Sequence, residues 1–171
     1  GDGGRAEALL DGAVERYGLA GALAPWEARY RLAIGMAEDV RGDLLTELLT
    51  GELERSGRAD ATDEYADVDV DADVDGVGPS VADLAERRDA AFDRAMAAFA
   101  TAQRLAPGDP VALLAKARGL RLWGDVTREP TRRAARLALA RAAYAAVRSS
   151  APNWPEVRSE AAAVELLDGD V

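Results

Sequence analysis

Residues 81–106 read VADLAERRDAAFDRAMAAFATAQRLA, a run with no proline or glycine. Leu84, Ala91, Ala95, Phe99 and Ala102 follow one another at intervals of three, four or seven, so they share one face of a 3.6-residue helix. Ser80, with Asp83 three residues on, has the form of a capping box in which Asp replaces the commoner Glu. PGDP at 107–110 ends the helix. A long amphipathic helix built on alanine sets the fold class, because small residues suit helices that pack closely on one another.

The remaining segments follow the same pattern. RAEALLDGAVERYG (5–18) puts Leu9, Leu10, Ala13, Val14 and Tyr17 on one face, and Gly18 and Gly21 then loosen the chain. APWEARYRLAIGMAEDV (24–40) begins with Pro25, which suits a first helical turn, and repeats Trp26, Tyr30, Ala33 and Ala37 at helical spacing. GDLLTELLTGELERSG (42–57) carries Leu44, Leu45, Leu48 and Leu49 as the stripe of a third helix, with Gly57 as its stop. Beyond the long helix, DPVALLAKARGLRLWGD (109–125) has Asp109 as cap, Pro110 in the first turn and Gly124 as stop. EPTRRAARLALARAAYAAVRSS (129–150) forms a sixth helix. NWPEVRSEAAAVELLDG (153–169) forms a seventh, with Asn153 as cap and Pro155 just inside. The prediction is an all-α protein of about seven helices, arranged as antiparallel pairs in a short stack or a compact bundle. ADVDVDADV (66–74) has strand period, but its aspartates disfavour a strand.

Composition agrees. Apolar residues make up 49% and aromatics only 5%, a poor supply for a β-sandwich. The length of 171 residues suffices for one domain with a core. The expected organisation is a helical part at 1–57, an acidic loop or linker at 58–79 and a second helical part at 80–171, together one continuous helical domain. No apolar run approaches 18 residues, so no membrane span is expected. The opening GDGGRAEALL lacks the basic start and apolar core of a signal peptide, which points to a cytoplasmic protein. It also lacks an initiator Met, as would a processed chain or a piece of a longer one.

The chain has no cysteine and no histidine, which excludes thiol nucleophiles, disulfides, the usual zinc sites, histidine triads and Glu-x-x-His di-iron bundles. Catalysis would rest on carboxylates, Arg, Ser, Tyr or the single lysine, Lys116. Carboxylate pairs such as Glu7/Asp11 and Glu52/Glu54 fall at spacings common on exposed helices, and no Gly-rich phosphate loop is present. The expectation is a protein without enzymatic activity or cofactor.

Charge is uneven. The net charge is −10, and residues 63–75 alone supply −7. Within them Asp71, Asp73 and Asp75 with Gly76 match the opening D-x-D-x-D-G of a calcium loop. The loop's twelfth position is Ala82 instead of a bidentate Glu, and Pro79 stiffens its middle. Calcium is therefore a weak candidate beside a solvated acidic linker. Residues 110–150 hold nine bases and two acids, net +7. Arg118, Arg121, Arg132, Arg133 and Arg136 are the candidate partner-binding residues, since guanidinium forks grip carboxylates and phosphates. A solvated outer face explains them equally well, as does an internal attraction to the acidic run. Nucleic acid is disfavoured by the acidic chain and the lack of an interleaved aromatic platform. The oligomeric state is not legible. The abundance of arginine over lysine fits a GC-rich genome, or a salt-adapted structural protein kept soluble by its acidic loop.

Ala95-x3-Phe99, then Ala102 and Pro107, recurs as Ala140-x3-Tyr144, Val147 and Pro152. In this respect residues 80–168 resemble a tetratricopeptide repeat, whose second helix carries that spacing and a closing proline. The two copies are 45 residues apart, against about 34 in the family. The family's first-helix signature is missing where LLAKARGL stands, and residues 1–57 do not match. The resemblance implies a helical-pair scaffold that holds a protein or peptide segment in a groove and performs no chemistry.

Overall fold

The structure, a computed structural model, describes residues 2–62, 79–155 and 157, with side chains described for 3–55, 79–155 and 157. It contains five helices: α1 (Asp2–Leu23), α2 (Ala28–Thr62), α3 (Val81–Leu105), α4 (Pro110–Asp125) and α5 (Pro130–Ser150). No strand occurs among the described residues. The all-α class holds, but the described residues form five helices where about seven were expected over the whole chain.

Two causes account for the difference. Of the expected seventh helix, Pro155 and Val157 are helical, Asn153 and Trp154 precede it in a turn, and residues 156 and 158–169 lie outside the described residues. The expected second and third helices are one 35-residue helix, α2. Gly35 and Gly42, which look like weak points, are contact points instead. A Cβ on Gly35 would stand 2.5 Å from the Phe99 ring, and one on Gly42 would stand 2.8 Å from the Phe92 ring. Both distances are below any real carbon contact, so only glycine lets the two α3 aromatics lie against the α2 backbone. Packing offsets the roughly 1 kcal/mol that a mid-helix glycine costs. The helix also passes through Gly57 to Thr62. At its other end Pro25 and Trp26 form a turn, closed by Glu27 N–H donating to the Ala24 carbonyl, and Trp26 is exposed. Pro25 therefore precedes α2 and does not begin it.

The signals around α3 and α4 are realised as read. Ser80 caps α3 with both capping-box hydrogen bonds present, and Asp109 caps α4 with Pro110 in its first turn. All five residues of the expected α3 face are buried. The α3–α4 joint turns at Gly108, whose φ of 82° is the left-handed conformation that favours glycine.

α2 packs most extensively on α3, and α4 on α5. α4 also lies against α3 and touches α2, while α1 packs on α2. Short joints at 106–109 and 126–129 make α3 and α5 run in the same direction, with α4 opposed between them. One core cluster joins Leu114, Ala117, Leu120, Leu137, Ala140, Tyr144, Val147 and Val157. A second joins Leu45 and Leu49 of α2 to Leu84 and Ala91 of α3.

α1 departs from expectation. Gly21 is its only buried residue among those described. Leu9, expected on its inner face, is 69% exposed, and Tyr17 is also exposed. Two ion pairs add to its packing on α2. Arg41 of α2 donates to Asp11, and Arg87 of α3 donates to Glu7. Arg41 also reaches Glu38, whose carboxylate is 3% exposed and is shared with Arg94 of α3. Two guanidinium groups saturate this buried acid, which is the condition for burying it without a large penalty.

Candidate interaction groove

α3 and α5 stand side by side over α4, and between them lies a groove of about 620 Å³. Met96, Ala97, Ala100 and Gln103 form the α3 wall, and Leu139, Ala142, Ala143 and Ala146 form the α5 wall. Leu113, Lys116, Leu120 and Trp123 of α4 form the floor. The walls are wide because most of their residues are alanine. Leu139 is 57% exposed on the rim and adds an apolar edge to the groove. At one end Lys116 donates to Gln103 across 3.4 Å.

The opposite end adjoins the α4–α5 joint and is basic. A smaller cavity of about 210 Å³ there is lined by Arg88, Arg128, Arg132 and Arg136, with Asp89 and Glu129, against an apolar wall of Leu49, Val81 and Ala85. Trp123 links the two cavities. The Arg136 guanidinium lies 3.6 Å from its ring centroid, and Phe92 stacks on it at 5.8 Å. Arg136 also donates to the Thr127 hydroxyl. Burial lowers the Arg136 pKa, Asp89 and Asp93 work against that shift, and the neighbouring Arg132 and Arg88 add to it.

The two acids lining this end already have partners. Asp89 accepts from Arg88 at 2.9 Å and from the Trp123 indole at 3.3 Å. Glu129 caps α5, accepting the Thr131 and Arg132 backbone N–H groups at 2.8 Å each. Those bonds hold its carboxyl below the usual carboxylate range. α5 itself carries five arginines and no acid.

Of the five arginines singled out in the sequence, Arg132 and Arg136 meet at this site. Arg121 lies elsewhere on α4, close enough to Asp39 of α2 to influence it. Arg118 is exposed on α4. Arg133 sits beside the basic end in sequence, and its Nε is buried without a hydrogen-bond partner among the described residues. Asp71, Asp73 and Asp75 fall outside the described residues. Among the described residues no group of three or more carboxylates could hold a metal ion. No helix there is long and apolar enough to cross a membrane.

Sequence reasoning missed Arg88, Arg128, Trp123 and Leu139. A signal existed: Arg132, Arg136, Leu139, Ala143 and Ala146 recur at intervals of 4, 3, 4 and 3, one continuous stripe of α5. Ala140, Tyr144 and Val147 form a more apolar stripe on the same helix, and that one faces the core.

A second buried polar site lies between α2 and α4. Asp39 is pushed up to about 6, by burial first and by the adjacent Asp43, while Arg121 pulls it down. Its Oδ1 is buried without a hydrogen-bond donor, and a Cβ on Gly119 of α4 would approach it to 2.8 Å. α4 approaches this oxygen closely, and only a glycine at 119 leaves it space.

Compared with protein-family models, with curated proteins and with solved structures, the chain matches none.

Proposed function

We propose that the protein is a non-enzymatic interaction scaffold of tetratricopeptide-like type, holding a segment of another protein in the groove between α3 and α5. The reading is carried by that groove: an apolar channel walled by two helices of the same direction, with Leu139 exposed on its rim. The pairing of helices supports it. α2 stands to α3 as α4 stands to α5, and α4 contacts both members of the preceding pair, as the first helix of a following repeat would. Ala95, Phe99 and Ala102 of α3 and Ala140, Tyr144 and Val147 of α5, the residues of the recurring spacing, are all buried. The long helices account for the stretched repeat, since α3 has 25 residues and α5 has 21. α2 takes the place of a first helix although its sequence lacks the motif.

The test is selection from a displayed library of random 16-residue peptides on the intact chain, followed by binding to Leu139→Asp. Enriched peptides should lose at least tenfold in affinity on that substitution. A library that yields no binders, or binders indifferent to Leu139→Asp, would overturn the reading.

A further inference from the structure

The groove is not symmetric along its length, and its asymmetry describes its occupant. Arg132, Arg136, Leu139, Ala143 and Ala146 run along one stripe of α5, from the basic end into the apolar channel. Ala85, Asp89, Met96, Ala100 and Gln103 run beside them on α3. The two cavities therefore follow one another along the α3–α5 face, with Arg136 stacked on Trp123 where they meet. From residue 132 to residue 146 that face extends about 21 Å, which is about four turns of helix.

Three physical constraints act on whatever lies there. Both walls and the floor are helices, whose backbone groups are bonded internally. No free strand edge is offered, so a helix, which bonds its own backbone, fits without unpaired groups, whereas an extended segment would rely on water and side chains. The alanines at 97, 100, 142, 143 and 146 admit a helix at close range, near the 8–10 Å interaxial distance usual for packed helices. The third constraint is charge. The α5 rim and the joint bring Arg128, Arg132 and Arg136 to one end, where Glu129 lies 3.8 Å from the exposed Arg132 guanidinium and Asp89 is paired with Arg88. Asp93, on the α3 side, also acts on Arg136.

We infer that the groove takes an amphipathic helix of a partner protein, about four turns long, whose apolar face lies on Met96, Leu120 and Leu139 and whose Asp or Glu side chains meet Arg128 and Arg132. The inference rests on the groove reading above and adds the helical form and the charge of the partner. Arg136 contributes its charge, but its stacking on Trp123 makes it part of the fold. Arg128 and Arg132 are exposed and can be changed without opening the core.

The experiment uses two labelled 16-residue peptides with an identical leucine face. One carries Glu along the edge that would meet α5 and at the adjoining end, and the other carries Lys there. Fluorescence anisotropy with the full chain should show the Glu peptide binding at least tenfold more tightly than the Lys peptide. Arg128→Glu with Arg132→Glu should reverse that preference, and raising NaCl from 50 to 500 mM should weaken the Glu peptide selectively. Circular dichroism should show helix induced in the bound Glu peptide. Equal affinity for both peptides, with both lost on Leu139→Asp, would overturn the acidic partner and leave the groove standing. Failure of both peptides to bind while displayed peptides do bind would have the same meaning. Sedimentation showing a dimer that Leu139→Asp dissociates would also overturn the inference, because a second copy of the chain would then be the occupant.

Discussion

α1 and α3 are both amphipathic, yet α1 exposes Leu9, Leu19 and Leu23 while α3 buries Ala91, Ala95 and Ala102. Leu19 and Leu23 of α1 are 62% and 84% exposed, whereas Ala91, Ala95 and Ala102 of α3 have no exposed surface. The difference lies in the neighbour. α3 meets α2 where Gly35 and Gly42 let Phe99 and Phe92 sit against the backbone, so the two helices interlock. α1 has no such complement. A Cβ on Gly12 or Gly18 would meet nothing within 4 Å, close contact among its glycines is confined to Gly3 against Leu48 and Gly21 against Tyr30, and Arg41–Asp11 and Arg87–Glu7 add ion pairs. Burial here follows the fit between surfaces more than the hydrophobicity of either one.

The contrast can be broken most directly at the aromatics. Phe99→Ala should lower the unfolding free energy by about 3–5 kcal/mol in urea titrations, while Leu9→Ala should change it by about 0.5 kcal/mol or less. Similar effects for the two would mean that α1 is packed as well as α3.

The glycines sharpen the point, because the same substitution should have opposite signs in the two regions. Gly35→Ala drives a methyl into the Phe99 ring and should cost about 1–3 kcal/mol. Gly12→Ala meets open space and should stabilise by up to about 1 kcal/mol through helix propensity. Combining Gly35→Ala with Phe99→Leu should recover part of the loss, which a double-mutant cycle would measure.

Between the tight and loose regions lies Asp39. Its folded-state pKa of about 6 stands above the 3.8 of a free aspartate, because burial first and the Asp43 charge second penalise the charged carboxylate. Its contribution to stability is fully present below about pH 4 and is lost as pH rises through 6. Asp39→Asn should therefore stabilise the protein at pH 7.5 by about 1–2 kcal/mol, less than the full shift implies because the amide still lacks a partner. The advantage should vanish near pH 4. An advantage that is the same at both pH values would show that size, and not charge, is responsible.

The smallest effect belongs to the ties on α1. Glu7→Ala with Asp11→Ala removes two partly exposed ion pairs and should cost about 1 kcal/mol or less globally. Amide hydrogen exchange should nonetheless accelerate in α1 and not in α3, and added salt should mimic the change in the native protein. Uniform acceleration along the chain would mean that α1 belongs to the same cooperative unit as the rest.

Local signals were legible where they act within a few residues. The Ser80–Asp83 box, the Asp109–Pro110 start and the α3 face are all realised. Signals that depend on a distant partner were misread. Gly42 looks like a helix start until Phe92, fifty residues away, is placed on it. Pro25 suits a first turn, yet the chain uses it to turn from α1 to α2. The arginine-rich segment was visible as charge, but not which side chains converge. Arg132 and Arg136 share the groove stripe, Arg121 turns toward Asp39, and Arg88 joins them from α3 at a distance of 44 positions from Arg132 in the chain.

The all-α class, the bounds of α3, α4 and α5, and the basic character of α5 follow from residue spacing alone, because helix periodicity, caps and prolines act over one or two turns. Two further features required the folded chain: the fusion of α2, and the assembly of an apolar groove followed by an arginine-lined cavity. Both arise from close approach between helices far apart in sequence, where a glycine, an alanine or a stacked guanidinium takes its meaning from the surface opposite.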